Sequence, residues 1–207
     1  METEQLAIFS ETMERIGVRT RAEVHREGYW HETFHCWFVQ RQADRRSILF
    51  QQRAAQKKDY PNQLDITAAG HLLAHETPRD GVREIQEELG LELAFDDLVS
   101  AGILPDPFLR PGFLDREFCH LFFYLLSIPI TDLVLQREEV ACIVRVELED
   151  FERLLRQQVS EISAPVYLTD SADPQTIITR NFQREDFCPH TDQYYETLLK
   201  FAYQLLS

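Results

Sequence analysis

The chain has no apolar run approaching the length of a membrane span, no internal repeat and no low-complexity tract. It is short of positive charge. Lys and Arg number 21 against 35 Asp and Glu, a formal net charge of −14. Such a surface repels polyanions, so a nucleic-acid polymer and an anionic membrane are poor partners, while a local basic pocket for a small phosphorylated ligand stays open. Cysteine is scarce and scattered. Cys36, Cys119, Cys142 and Cys188 form no C-x-x-C pair, which removes the usual zinc and redox spacings. Two disulfides are arithmetically allowed, but no secretory leader is visible, and free thiols in a reducing cytoplasm are expected. At 207 residues, 44% apolar and 11% aromatic, one buried domain with extensions is expected and two full ones are not.

Acidic charge is concentrated where the sequence reads GHLLAHETPRDGVREIQEELGL, residues 70–91. Thr77 and Pro78 are helix-start signals and Gly90 a stop. Glu84, Glu87 and Glu88 follow helical offsets and converge on one face beside Arg83, whereas Val82, Ile85 and Leu89 mark a buried stripe on another. Three like charges so close destabilise a bare helix. A hard divalent cation such as Mg²⁺, which takes carboxylate and water oxygens, makes the cluster favourable. For REIQEE alone, a solvated acidic face is the commoner explanation.

Around this helix the pattern alternates. Residues 6–9 and 16–18 read as short strands, and Thr20 to Glu23 as a capping box opening a helix that ends near Gly28. Residues 34–39 and 47–52 read as a strand hairpin joined by residues 40–46. A basic loop follows, in which Arg53, with Lys57 or Lys58, is placed to face the diphosphate of a substrate. Strands are expected at 64–69, 91–95, 99–104, 117–127 and 141–146, with a proline-bearing loop at 105–112 as a pocket lip. Trp30, Trp37, Phe108 and Phe113 are candidates for that aromatic lip. Residues 148–158 read as an amphipathic helix and 160–188 as irregular. Residues 191–206 form a helix whose Tyr195, Leu198, Leu199, Ala202, Leu205 and Leu206 make an apolar stripe, capping its own domain or joining a homodimer. The alternation fits an α/β sandwich with a mixed sheet.

Gly70, Glu76, and then Arg83-Glu84-Ile85-x-Glu87-Glu88-x-Gly90-Leu91 resemble the Nudix box of the Nudix hydrolase superfamily, a pattern that fixes about nine positions over 22 residues. Six residues separate Glu76 from Arg83, one fewer than the family's usual spacing. The resemblance implies a Nudix-type α/β/α sandwich with the acidic helix between sheets. The domain would occupy residues 31–160, between an N-terminal extension (1–30) and a C-terminal one with a terminal helix (161–207). It also implies pyrophosphohydrolase activity on a nucleoside or other X-linked diphosphate. Glu84, Glu87, Glu88 and the Gly70 carbonyl would hold Mg²⁺ or Mn²⁺, Arg83 would orient a glutamate, and the base would be Glu87, Glu88, Glu117, Glu138 or Glu139.

A second set of residues resembles the isopentenyl-diphosphate isomerase branch of the same superfamily, across residues 20–127. His25, His31, His71, Asp115 and Glu117 match that branch's metal-holding positions, and a His₃-carboxylate set suits a divalent metal. His71 also lies beside the box as a substrate contact. The isomerase's reactive cysteine is replaced here by Ala69, which has no protonatable group. The intact box favours hydrolysis. Isomerase-like chemistry and a non-catalytic sensor are the alternatives.

Overall fold

The computed structural model describes residues 3–110, 113–168 and 176–207. Strands β1 (Gln5–Phe9) and β2 (Arg15–Thr20) form a hairpin that runs into helix α1 (Arg21–Glu27). The expected capping box is present: the Glu23 amide donates to Thr20 Oγ1 at 3.3 Å and the Thr20 amide to the Glu23 carboxylate at 2.9 Å. Gly28 ends the helix at φ 71°, a left-handed conformation that suits glycine.

Strands β3 (Trp30–Gln42) and β4 (Arg45–Arg53) are antiparallel and longer than the sequence suggested. The single strand expected at 64–69 is two, β5 (Leu64–Asp65) and β6 (Ala68–His71). Here the chain changes partners, from β4 to β3. Thr67 makes the change possible, since its hydroxyl donates to the Leu49 carbonyl and accepts from the Phe38 amide, filling both strands' unpaired groups.

Helix α2 (Arg83–Leu89) carries the acidic residues and is preceded by a 3₁₀ turn, Asp80–Val82. It starts later than Thr77 and Pro78 suggested. The Asp80 carboxylate accepts from both the amide and hydroxyl of Thr77, winding a separate turn, and Gly81 presses against Phe34. Residues 91–95 are not a strand; they lead into a 3₁₀ turn, Phe95–Asp97, held by the Asp97 carboxylate on the Ala94 amide.

The next strand pair corrects the reading of 105–112 as a loop over 105–110, while residues 111 and 112 lie outside the described residues. Strand β7 (Val99–Arg110) continues through Pro105 and Pro107 and pairs along its length with β8 (Phe113–Leu125). Its other side is a sheet edge, where a missing N–H costs no ladder bond. Strand β9 (Val140–Glu147) leads into α3 (Leu148–Leu155). The stretch 160–188, expected to be irregular, contains the hairpin β10 (Glu161–Tyr167) and β11 (Ile177–Gln183). Ile162, Ala164 and Val166 alternate inward, with Pro165 interrupting the apolar pattern. Helix α4 (Asp192–Leu205) closes the chain, capped by Thr191.

All described strands join one sheet, ordered β11-β10-β9-β4-β3-β1-β2, with β8 parallel to β3 and β7 outside β8. Helices cover both faces. Phe34, Cys36, Phe38 and Phe122 pack with Ile85 and Leu89 of α2. Trp37, Phe50, Leu121 and Phe123 pack with Phe151 of α3 and with Tyr194, Leu198 and Ala202 of α4. The acidic helix therefore lies on a face of one connected sheet rather than between two. The α4 stripe covers its own core. All four cysteines are buried free thiols, and no described helix is long and apolar enough to cross a membrane.

Candidate active site

Strand alternation and register build a cleft of about 610 Å³. On β3, His31, Thr33 and His35 point to one side while Phe34 and Phe38 fill the core on the other. The ladders then set His31 opposite Glu117, Thr33 opposite His71 and Asp106 opposite Glu117.

One wall is acidic. Glu84 and Glu88 turn from α2 toward β6, where a Cβ on Gly70 would overlap the Glu84 carboxylate, so only bare backbone admits it. The Glu88 side chain is buried and accepts from the Ala69 amide (3.1 Å) and Gln51 Nε2 (3.2 Å), both at Oε2. Burial raises both acids, aided by like charge from Glu87 on Glu84 and from Glu84 on Glu88: Glu84 is pushed up to about 7 and Glu88 well above its ordinary value. Glu87 sits at the rim, 53% exposed.

Arg83 ties this wall together. Its Nε and Nη2 donate to the two oxygens of Glu76 at 2.7 and 3.0 Å, Nη1 reaches Glu84 and Glu87, and Nη2 also donates to the His71 carbonyl. Glu76 in turn accepts from the Leu73 amide at 2.8 Å. The shortened connection thus leaves Glu76 in reach of Arg83.

Of the expected basic contacts, Arg53 and Lys57 line the cleft. Both are already paired, Arg53 with Asp65 at 2.7 Å and Lys57 with Glu139. Lys58 is not among the lining residues, and of the outside glutamates considered as bases, Glu138 is exposed away from the cleft while Glu117 and Glu139 line it.

The opposite wall holds the histidines. His31 is fully buried, with Nε2 at 3.5 Å from Asp115 Oδ1 and 3.9 Å from Glu117 Oε1. His25 Nε2 lies 3.3 Å from His71 Nε2 and 3.6 Å from Asp115 Oδ1. Burial lowers all three histidines, His25 to about 4, leaving neutral imidazoles with lone pairs for a metal. His25, His31 and His71 form one such group, and His31, Asp115 and Glu117 another. Burial and the neighbouring Glu117 raise Asp115 well above the usual carboxylate range. Burial also works to raise Glu117, but the His35 hydrogen bond outweighs it and holds that carboxyl well below the range.

Tyr194, His35, Asp106 and His190 were not among the site residues expected from sequence. Trp37 Nε1 donates to Tyr194 Oη at 3.0 Å, Tyr194 Oη meets His35 Nδ1 at 2.9 Å, and His35 Nε2 stands 3.3 Å from Glu117. Asp106 and His190 pair at 2.6 Å. His35 was detectable in principle, since it shares the β3 face of His31 at an even offset. Trp37, a candidate for the aromatic lip, is buried in the core instead, and Trp30 stacks on Phe118. Phe108 does line the cleft, edge-on to Tyr60; the Phe113 side chain lies outside the described residues.

Residues 29–168 match the NUDIX domain. The chain is 36% identical over 200 residues to an uncharacterized Nudix hydrolase of Clostridium acetobutylicum, covering 97% of each. It is 33% identical over 140 residues to an isopentenyl-diphosphate Delta-isomerase of Corynebacterium diphtheriae, covering 63% of this chain and 72% of that one. The crystal structure of a Deinococcus radiodurans protein superposes with a TM-score of 0.54 at 19% identity, over 75% of this chain and 89% of that one, a likeness of fold. With the domain matched over most of the chain and a relative aligned nearly end to end, the chain belongs to the Nudix hydrolase family.

Proposed function

We propose that this enzyme hydrolyses the P–O–P bridge of a nucleoside or other X-linked diphosphate with Mg²⁺ or Mn²⁺, held by Glu84, Glu87, Glu88 and the Gly70 carbonyl. The observation that carries this reading is the approach of the Glu84 carboxylate to bare backbone at Gly70, with buried Glu88 beside it. Carboxylate and carbonyl oxygens form a hard donor set suited to these ions. When bound, such an ion neutralises phosphate charge and acidifies a water. Without it, a diphosphate would meet a wall of like charge.

The protein's own residues do the rest. Arg83, clamped by Glu76, fixes Glu84 and Glu87 in place. Arg53 and Lys57 line the cleft but are held by Asp65 and Glu139, so the charge they offer a substrate is shared with those acids. Glu117, kept ionised by His35, accepts the proton of the attacking water as its oxygen bonds to phosphorus and the bridge oxygen leaves with the other phosphate. Glu139 is engaged by Lys57 and so is less free to take that proton. Turnover of a diphosphate panel with Mg²⁺, assayed for phosphate and monophosphate products, tests the reading; hydrolysis undiminished in excess EDTA refutes it.

A second reading concerns the histidine wall. Nε2 of His31 and Oδ1 of Asp115 are buried without a hydrogen-bond partner, which supports a second metal held by His25, His31, His71, Asp115 and Glu117. Isomerase-like chemistry on an isoprenoid diphosphate is disfavoured by Ala69, which has no protonatable group to complete an acid–base pair. Loss of one equivalent of bound cobalt or manganese in His31→Gln, with box-dependent turnover retained, would separate this site from the acidic one.

A further inference from the structure

The cleft contains a further buried carboxylate–imidazole pair, beside the histidine wall. Asp106, on edge strand β7, is 5% exposed and places Oδ2 2.6 Å from His190 Nδ1; its Oδ1 accepts from the Thr191 amide at 2.8 Å. Two bonds on one carboxylate fix the imidazole, and a stacking contact with Tyr194 (centroids 4.1 Å apart, planes 11° apart) fixes its plane. Nδ1 therefore carries a proton toward Asp106. The His190 side chain is only 9% exposed, yet its Nε2 is buried without a hydrogen-bond partner while the residue lines the cleft. A pair that only fastened the start of α4 would have no need of a stranded polar atom there.

The cations around the cleft are otherwise committed. Arg21 pairs with Glu4, Arg53 with Asp65, Lys57 with Glu139, and Arg83 with Glu76 and Glu84. We propose that His190, oriented by Asp106, is a substrate-binding residue whose Nε2–H donates to a phosphate oxygen of the diphosphate. The role rests on the diphosphate reading above and adds a residue from beyond the matched domain, which ends at 168.

Groups on several elements face the imidazole: Asp106 from β7, His35 from β3, Asp65 from β5, Glu117 from β8, and Tyr194 and Tyr195 from α4. Burial alone would lower His190, but the Asp106 bond and the surrounding carboxylates raise it above its ordinary value. The charged, donating form thus persists to higher pH than in a free imidazole and is lost as pH rises further.

Two variants separate binding from structure. Asn at 190 keeps a donor for Asp106 near the Nδ1 position and removes Nε2. Gln keeps a neutral donor near Nε2. Calorimetry with inorganic pyrophosphate and Mg²⁺, beside turnover of the diphosphate panel, should show H190N weakened roughly ten- to a hundredfold in affinity and in kcat/KM, the size of a charge-assisted hydrogen bond. H190Q should recover part of that loss. The high-pH limb of the wild-type kcat/KM profile that belongs to this group should be missing in H190N, with thermal midpoints little changed. Wild-type affinity and pH profile in H190N overturn the proposal. Pyrophosphate binding that weakens in H190N when nothing is turned over upholds the dyad and rejects the hydrolase reading. Wild-type protein that neither binds pyrophosphate nor cleaves any diphosphate overturns both.

Discussion

Arg83 and Glu76 meet in a two-pronged ion pair, Nε to one carboxylate oxygen at 2.7 Å and Nη2 to the other at 3.0 Å. The pair closes the loop between β6 and α2, and holds the acidic face rigid from behind. Lysine cannot reproduce the planar fork. Arg83→Lys should therefore lower kcat by about ten- to a hundredfold while changing the thermal midpoint little, because the pair is partly solvated. Steady-state kinetics beside a melting curve check this; unchanged kcat would mean that the fork does not position the carboxylates.

Gly70 and Gly81 should respond oppositely to alanine. At Gly70 a methyl meets the mobile end of Glu84, so the carboxylate moves aside and activity falls with modest loss of stability. At Gly81 it lies 2.6 Å from the Cβ of buried Phe34, and overpacking there should cost about 1–3 kcal/mol. Urea titration and turnover of both variants read the contrast, and equal effects on stability would contradict it.

In metal-free protein, Glu84 and Glu88 link stability to pH. Both carboxyls are raised by folding, Glu84 to about 7 from 4.5, so the folded state binds protons more tightly than the unfolded. Their contribution is present below the unfolded value near 4.5 and lost as pH rises through the folded value. The metal-free thermal midpoint should fall between pH 5 and 8, less steeply in Glu84→Gln. A midpoint that rises over this range in the wild type, with the same slope in the variant, would count against the burial of these acids.

Tyr194 links the C-terminal helix, through His35, to Glu117, the proposed base. Removing its hydroxyl in Tyr194→Phe strands Trp37 Nε1 and His35 Nδ1, at an expected cost of about 1–3 kcal/mol, and loosens His35 beneath Glu117. Denaturant unfolding and kcat should both decline. Full activity in the variant would show that Glu117 needs no such support.

Local signals were readable from sequence and distant ones were not. The Thr20–Glu23 box, the Gly28 and Gly90 stops and the α2 stripe are set by neighbours within one or two turns, and each formed as expected. The start of α2 was misplaced because Asp80 competes for Thr77, a side-chain choice that two start signals do not reveal. Pro105, Pro107 and Pro165 hid strands that tolerate them through edge position or partner choice. The acidic wall was legible because helical offsets place its carboxylates together. His190 joins Asp106 across 84 positions, and no local period encodes that meeting.

The most direct test is ³¹P NMR of phosphate release from the diphosphate panel with Mg²⁺, wild type beside Glu87→Gln. That change keeps side-chain shape at a half-exposed position and removes the charge. Product release by the wild type, abolished by EDTA and reduced roughly 100-fold or more in the variant, is the predicted result. Equal turnover by the two proteins, or turnover that persists in EDTA, would contradict a metal held on the acidic helix.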